Sequence, residues 1–116
     1  MPERADKDKL PAFLEGVIDD HPEVWEAYQQ LGEAVGAAGT LDAREQRLVK
    51  LAIAIGSKSE GSVHSHTRRA LREGIAAADL YQMALLAITS IGWSAAMAGL
   101  AWIRDVVEKQ APGRDG

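Results

Sequence analysis

The longest uncharged stretch of the chain constrains the fold most. No charged residue occurs from Leu80 to Ile103, and a stretch of this length could cross a bilayer, which takes about 20 residues. Polar side chains and Gly92 interrupt it, however, and nothing else in the chain favours insertion into a membrane. Two buried helices that meet near Gly92 account for the stretch better. We therefore expect a soluble protein with no membrane partner.

Apolar residues recur at helical spacing along most of the remaining chain. The pattern predicts six helices and no strands: around Leu10 to Ile18, from Pro22 to the Gly36–Gly39 region, from Leu41–Asp42 to Gly56, from Ser59 to Gly74, from Ala77 to Ser90, and from Trp93 to Glu108. Pro22 suits the first position of a helix, and Asp42 with Glu45 three residues later fits a capping box. The predicted fold class is all-α.

The length of the chain indicates one domain, which we place at residues 8–108. The polar ends, residues 1–7 and 109–116, are expected to be disordered. The N-terminus lacks the apolar core of a signal peptide, so we expect a cytoplasmic protein. A net charge of −4 gives no electrostatic reason to expect a nucleic-acid partner.

Small side chains are concentrated in the last predicted helix. They are Ala95, Ala96, Ala98, Gly99 and Ala101. Because small side chains let helix backbones approach, close packing is expected there. A domain of this size can hardly bury two helices that are apolar on all sides, so part of their surface should contact another subunit. We therefore predict a homo-oligomer.

The segment 41–54 and the segment 59–70 resemble the active-site region of the carboxymuconolactone decarboxylase family, which includes the AhpD-like (alkylhydroperoxidase-like) proteins. In redox members the second segment reads Cys-x-x-Cys-x-x-x-His-x-x-x-Ala, and Ser59, Ser62 and His66 stand at its Cys, Cys and His positions. The resemblance covers roughly residues 41–103. It implies an AhpD-like helical bundle that assembles as a trimer or a hexamer-type oligomer.

The chain contains no cysteine, which separates it from the redox members. The acidic residue that those members place on the preceding helix falls at Arg47, so it is also missing. A serine hydroxyl cannot cycle through sulfenate and disulfide, and thiol peroxidase activity is therefore excluded. The decarboxylase branch shares a glutamate six residues before the histidine, here Glu60, but its flanking aromatic and acidic residues are absent.

Two pairs of residues four apart define a candidate site on the fourth predicted helix. Ser62 lies beside His66, and Glu60 lies beside His64. The first hypothesis is a small acid–base enzyme in which His66 is the base, Ser62 or a water is its partner, and Glu60 and His64 tune it or relay protons. Arg69 and Ser59 would bind a small anionic metabolite.

Other interpretations remain open. The set His64, His66 and Glu60 offers metal-ligand types, although residues two apart on a helix diverge by about 200°. The chain could also be a non-catalytic oligomeric scaffold on the same fold, with structural histidines and a Ser57–Glu60 capping box. No glycine-rich phosphate loop follows a strand, so no cofactor is predicted.

Overall fold

The structure, a computed structural model, describes residues 12–110. Every regular element within these residues is an α-helix. The helices are α1 (Ala12–Asp20), α2 (Pro22–Gly36), α3 (Ala43–Gly56), α4 (Glu60–Arg72), α5 (Ala77–Leu86), α6 (Ile88–Ile91) and α7 (Trp93–Gln110). The all-α prediction is confirmed. Leu10 and the predicted disordered residues 1–7 lie outside the described residues. Of the predicted disordered tail 109–116, Lys109 and Gln110 belong to α7, and residues 111–116 lie outside the described residues.

One predicted helix is divided in two. The segment predicted from Ala77 to Ser90 is interrupted at Ala87, whose N–H bonds to the carbonyl of Ala84, three residues back. This tighter hydrogen bond ends α5 and begins the single-turn α6. The break near Gly92 is confirmed, because Gly92 has a φ of 95° and separates α6 from α7. No helix within residues 12–110 has the length and apolarity needed to cross a membrane.

The contacts divide the chain into two compact units, Met1–Thr40 and Leu41–Gly116. In the first unit, α1 packs against α2, and Pro22 occupies the start of α2 as predicted. Helix α2 has no buried residue. Its apolar stripe, formed by Val24, Tyr28, Leu31 and Val35, is more than half exposed at every position.

The second unit is built around α7, which contacts each of α3, α4, α5 and α6. Its completely buried large side chains are Leu51, Ile55, Val63, Leu80 and Ile103. Helix α3 is apolar from Leu48 to Ile55, except for Lys50, but Val49 and Ile53 are 47% and 61% exposed. Only one face of α3 therefore belongs to the core.

Local interactions define the start of α3 and the end of α4, the helix that carries the candidate site. Helix α3 begins with the predicted capping box: the N–H of Glu45 donates to Asp42 Oδ1 and the N–H of Asp42 donates to Glu45 Oε1, both at 2.8 Å. Helix α4 ends at the predicted glycine, because Gly74 takes a φ of 91° and Ile75 N–H bonds to the carbonyl of Ala70. Both helices thus have defined ends and a fixed register.

The close packing expected of the last helix occurs where α7 crosses α3. A Cβ atom added at Gly99 would lie 2.8 Å from Cγ2 and 3.0 Å from Cγ1 of Ile55. Gly99 and Ile55 are both buried. The two helices can therefore approach this closely only because position 99 has no side chain.

We expect Gly99→Ala to destabilise the protein by about 1–3 kcal/mol, because overpacking the contact with Ile55 outweighs the better helix propensity of alanine. Urea unfolding measures the change. The matched control is Gly32→Ala in α2, where nothing lies within 4 Å of the added Cβ; it should gain about 0.5–1 kcal/mol. A Gly99→Ala protein as stable as the parent would show that α7 and α3 are not tightly packed at Gly99.

Candidate functional site

Helix α4 carries all of the predicted site residues from its N-cap onward. Ser59 is the N-cap and makes no side-chain capping hydrogen bond, and Glu60 is the first helical residue. The hydroxyl of Ser57 donates instead to the carbonyl of Ile53 at the end of α3. The alternative capping box from Ser57 to Glu60 is therefore wrong, and the side chains of Ser59 and Glu60 are not used to cap α4.

The strongest polar contact of α4 joins His66 to a residue of α3. The Nη1–H of Arg47 donates to Nδ1 of His66 at 2.8 Å. The same guanidinium donates from Nε and Nη2 to the two carboxylate oxygens of Glu73, at 3.0 and 2.7 Å. The Arg47 side chain is only 15% exposed. Arg47 thus bridges the imidazole and the carboxylate with three hydrogen bonds.

This geometry determines the protonation of His66. Arginine can only donate, so Nδ1 of His66 must accept, and the proton of the neutral ring is on Nε2. Burial, and then the positive charges of Arg47, Arg69 and Lys50, lower the pKa of His66 to about 4, while Glu73 opposes them. At neutral pH His66 is therefore an uncharged imidazole with an Nε2–H donor.

Glu73 keeps its negative charge for a related reason. The hydrogen bond from Arg47 lowers the pKa of Glu73, and the cations Arg69 and Arg72 act in the same direction. Burial acts against them. The result is a permanent ion pair with two parallel hydrogen bonds, a geometry that holds a guanidinium in a fixed orientation.

Sequence reasoning missed both Arg47 and Glu73 as site residues. The sequence analysis considered Arg47 only because the redox members of the family carry an acidic residue at this position. Glu73 follows His66 by seven residues, and this spacing is two helical turns, which places both on the same stripe of α4. That spacing, together with an arginine on the preceding helix, is the signal that could have identified them.

Two of the other predicted residues are placed differently relative to His66. Arg69 is half-buried, one turn after His66, and its charge acts on the ring. Ser62 is exposed, and within residues 12–110 no hydrogen bond joins it to His66. The predicted pairing of the Ser62 hydroxyl with this imidazole is therefore not formed.

His64 and Glu60 belong to a different set of contacts. His64 Nε2 lies 3.6 Å from Asp105 Oδ2 on α7 and 3.9 Å from Glu60 Oε2. The two imidazoles therefore face different helices, His66 towards α3 and His64 towards α7. Within residues 12–110 no three His, Asp or Glu side chains are grouped so that they could hold a metal ion. The alternative metal set of His64, His66 and Glu60 is accordingly not assembled.

The charges around His66 indicate the kind of ligand this site favours. Three cations, Arg47, Lys50 and Arg69, act on the ring, against one carboxylate, Glu73. A positive surrounding together with a neutral N–H donor suits an anionic oxygen. The arrangement can bind a carboxylate or stabilise negative charge on an oxygen, and no sulfur nucleophile is available to it.

Comparison with known proteins gives a partial sequence match to one uncharacterized relative and a match to one family. An uncharacterized protein of Haemophilus influenzae (strain ATCC 51907 / DSM 11121 / KW20 / Rd) is 34% identical over 50 residues, which is 43% of this chain. The chain spans less than half of that relative, since the match covers 44% of it. No solved structure matches.

The profile of the carboxymuconolactone decarboxylase family matches residues 22–105. This range begins earlier than the segment 41–103 that carries the resemblance in the sequence, and it includes α2 as well as α3 to α6 and most of α7. The match covers well over half of the chain. The chain is therefore a cysteine-free member of the carboxymuconolactone decarboxylase family.

Proposed function

We propose that this protein binds a small metabolite with a carboxylate at His66 and stabilises negative charge that develops on an oxygen of this ligand, by chemistry that uses no thiol. The hydrogen bond from Arg47 Nη1 to His66 Nδ1 carries the proposal. It fixes the tautomer and leaves Nε2–H as the only donor of the ring. His66 is then a donor towards the ligand and not the base that the sequence suggested.

The role follows from the chemistry of a neutral imidazole. Such a ring is a very weak acid, so it stabilises a developing oxyanion by a hydrogen bond and does not give up its proton. Neutral histidines that polarise carbonyl groups are known in other enzymes, where the environment also lowers the histidine pKa. Because the donor exists before the reaction begins, no reorganisation is needed when charge develops.

The cations near His66 would bind the acidic group of the ligand. Arg69 lies one turn along α4, and Lys50 projects from α3. Ser59 and Ser62, on the first turn of α4, would supply hydroxyl contacts or position a water. Arg47 is already held by Glu73, so its role is to orient His66. The family's description names a lactone decarboxylase, and loss of carbon dioxide from an acid leaves negative charge that such a donor can stabilise.

A panel of small carboxylates tests the proposal: acetate, pyruvate, 2-oxoglutarate and a five-membered lactone acid, each added to ¹⁵N-labelled protein at millimolar concentration. At least one should shift the ring signals of His66 in a saturable way. Arg69→Gln should weaken its binding about tenfold, the scale expected for a charge-assisted hydrogen bond.

The control variant is Arg104→Gln on α7, which changes one exposed charge whose partner is Glu108. It should leave binding at His66 unchanged. If no compound of the panel perturbs His66, or if Arg69→Gln binds as well as the parent, this assignment of the site fails.

The exposed apolar surface favours a second function, as an oligomeric scaffold with copies of itself as partner. The side chains concerned are Val24, Leu31 and Val35 on α2, Val49 and Ile53 on α3, and Leu86 and Trp93 in the α5–α7 region. A monomer rarely leaves so many large apolar groups exposed on its helices. We propose a closed homo-oligomer of the trimer or hexamer type.

Sedimentation velocity measures the assembly directly. The parent should sediment as a species several times larger than the 12.5 kDa chain. Leu31→Glu should shift the distribution towards the monomer, because it places a charge in the apolar stripe of α2. Gln30→Glu, an exposed change on the same helix, should not. A parent that sediments as a monomer at all concentrations would contradict the proposal.

A further inference from the structure

A second cleft lies between α4 and α7, away from the Arg47–His66 contact. Its volume is about 90 Å³. The residues that line it are His64, Arg68, Asp105, Val106, Lys109 and Gln110. All of them belong to the C-terminal unit. The volume suits only a ligand of a few heavy atoms, since sites for drug-sized molecules are several times larger.

One end of the cleft lacks a hydrogen-bond donor. The Nε2 atom of His64 is buried and has no hydrogen-bond partner among the described residues. Carboxylate oxygens of Asp105 and Glu60 lie 3.6 and 3.9 Å away, beyond hydrogen-bond distance. Because this atom has almost no accessible surface, a ligand in the cleft does not reach it. The carboxylate among the lining residues is that of Asp105, and it needs a donor from a ligand.

The other groups lining the cleft lack an acceptor. Arg68 and Lys109 carry positive charges, and neither has an ion-pair partner within residues 12–110. Two unpaired cations that line one cleft form a site for a carboxylate. The cleft therefore offers both acceptors and donors, with opposite charges among its lining residues.

We propose that this cleft binds a small zwitterion, a free amino acid of modest size. The ammonium group would donate to the carboxylate of Asp105. The carboxylate would accept from Arg68 and Lys109. This site does not depend on the function proposed for His66, because it uses different side chains on the opposite side of α4.

An NMR titration of the full ¹⁵N-labelled chain tests the proposal with three matched probes. L-alanine carries both charges, propionate carries only the carboxylate, and ethylamine carries only the ammonium group. L-alanine should shift the amide signals of residues 64–68 and 104–110 in a saturable way. Propionate and ethylamine should each bind at least about tenfold more weakly, because each loses one charged contact.

Two variants test the two groups of charges separately. Asp105→Asn and Arg68→Gln should each weaken L-alanine binding about tenfold. The control is Arg104→Gln, a neighbour of Asp105 that pairs with Glu108; it should bind L-alanine as the parent does. The signals of Arg47, His66 and Glu73 are recorded in the same spectra, so binding at the other site is distinguished.

Three results would overturn the proposal. The first is no saturable shift of residues 64–68 and 104–110 with L-alanine. The second is propionate binding as tightly as L-alanine, which would make the cleft a plain anion site. The third is ethylamine binding as tightly, which would leave Arg68 and Lys109 without a role in recognition.

Discussion

The guanidinium of Arg47 links three parts of the C-terminal unit at one point. It lies between α3, which carries it, and two successive turns of α4, to which it donates at His66 and Glu73. Its side chain is mostly buried, so its positive charge requires the carboxylate of Glu73. The hydrogen bond from Arg47 fixes the tautomer of His66, and its positive charge adds to burial, which is the largest cause of the lowered pKa of His66. Among the charged neighbours of His66, Arg47 therefore has the largest effect.

An arginine at position 47 reverses the electrostatic effect that the resemblance implies. In the redox members an acidic residue at this place would favour the protonated histidine, whereas a cation disfavours it. The two serines at the cysteine positions remove the thiol chemistry, and Arg47 removes the basic nitrogen that acid–base relay would use. The chain thus keeps the helices of the family without the residues of its redox site.

Local features of the fold could be predicted from the sequence because they depend on neighbouring residues alone. The Asp42–Glu45 capping box, the stop at Gly74 and the break at Gly92 are of this kind. The close contact at Gly99 was expected from its small neighbours, but its partner Ile55 was not. The exposed face of α3 could not be predicted from the sequence. An apolar helix has the same hydrophobic pattern whether it packs against the core or against another subunit.

The site was predicted only in part, for a related reason. Helical spacing placed His64 and His66 on two flanks of α4, but it could not show which helix faces each flank. The structure pairs one flank with Arg47 and the other with Asp105. Two residues that the sequence joined in one site therefore contact different helices, and Arg47, which donates to His66, lies nineteen residues earlier.

The protonation of His66 tests this account most directly, and long-range ¹H–¹⁵N NMR of its ring across pH measures it. We expect a neutral ring with the proton on Nε2 at pH 7 and a pKa of about 4. Arg47→Met should raise that pKa, although burial keeps it below 6.5, and Arg44→Met, whose side chain pairs with Asp79, should not change it. A parent ring that titrates near 6.5, or one that carries its neutral-form proton on Nδ1, would contradict the account.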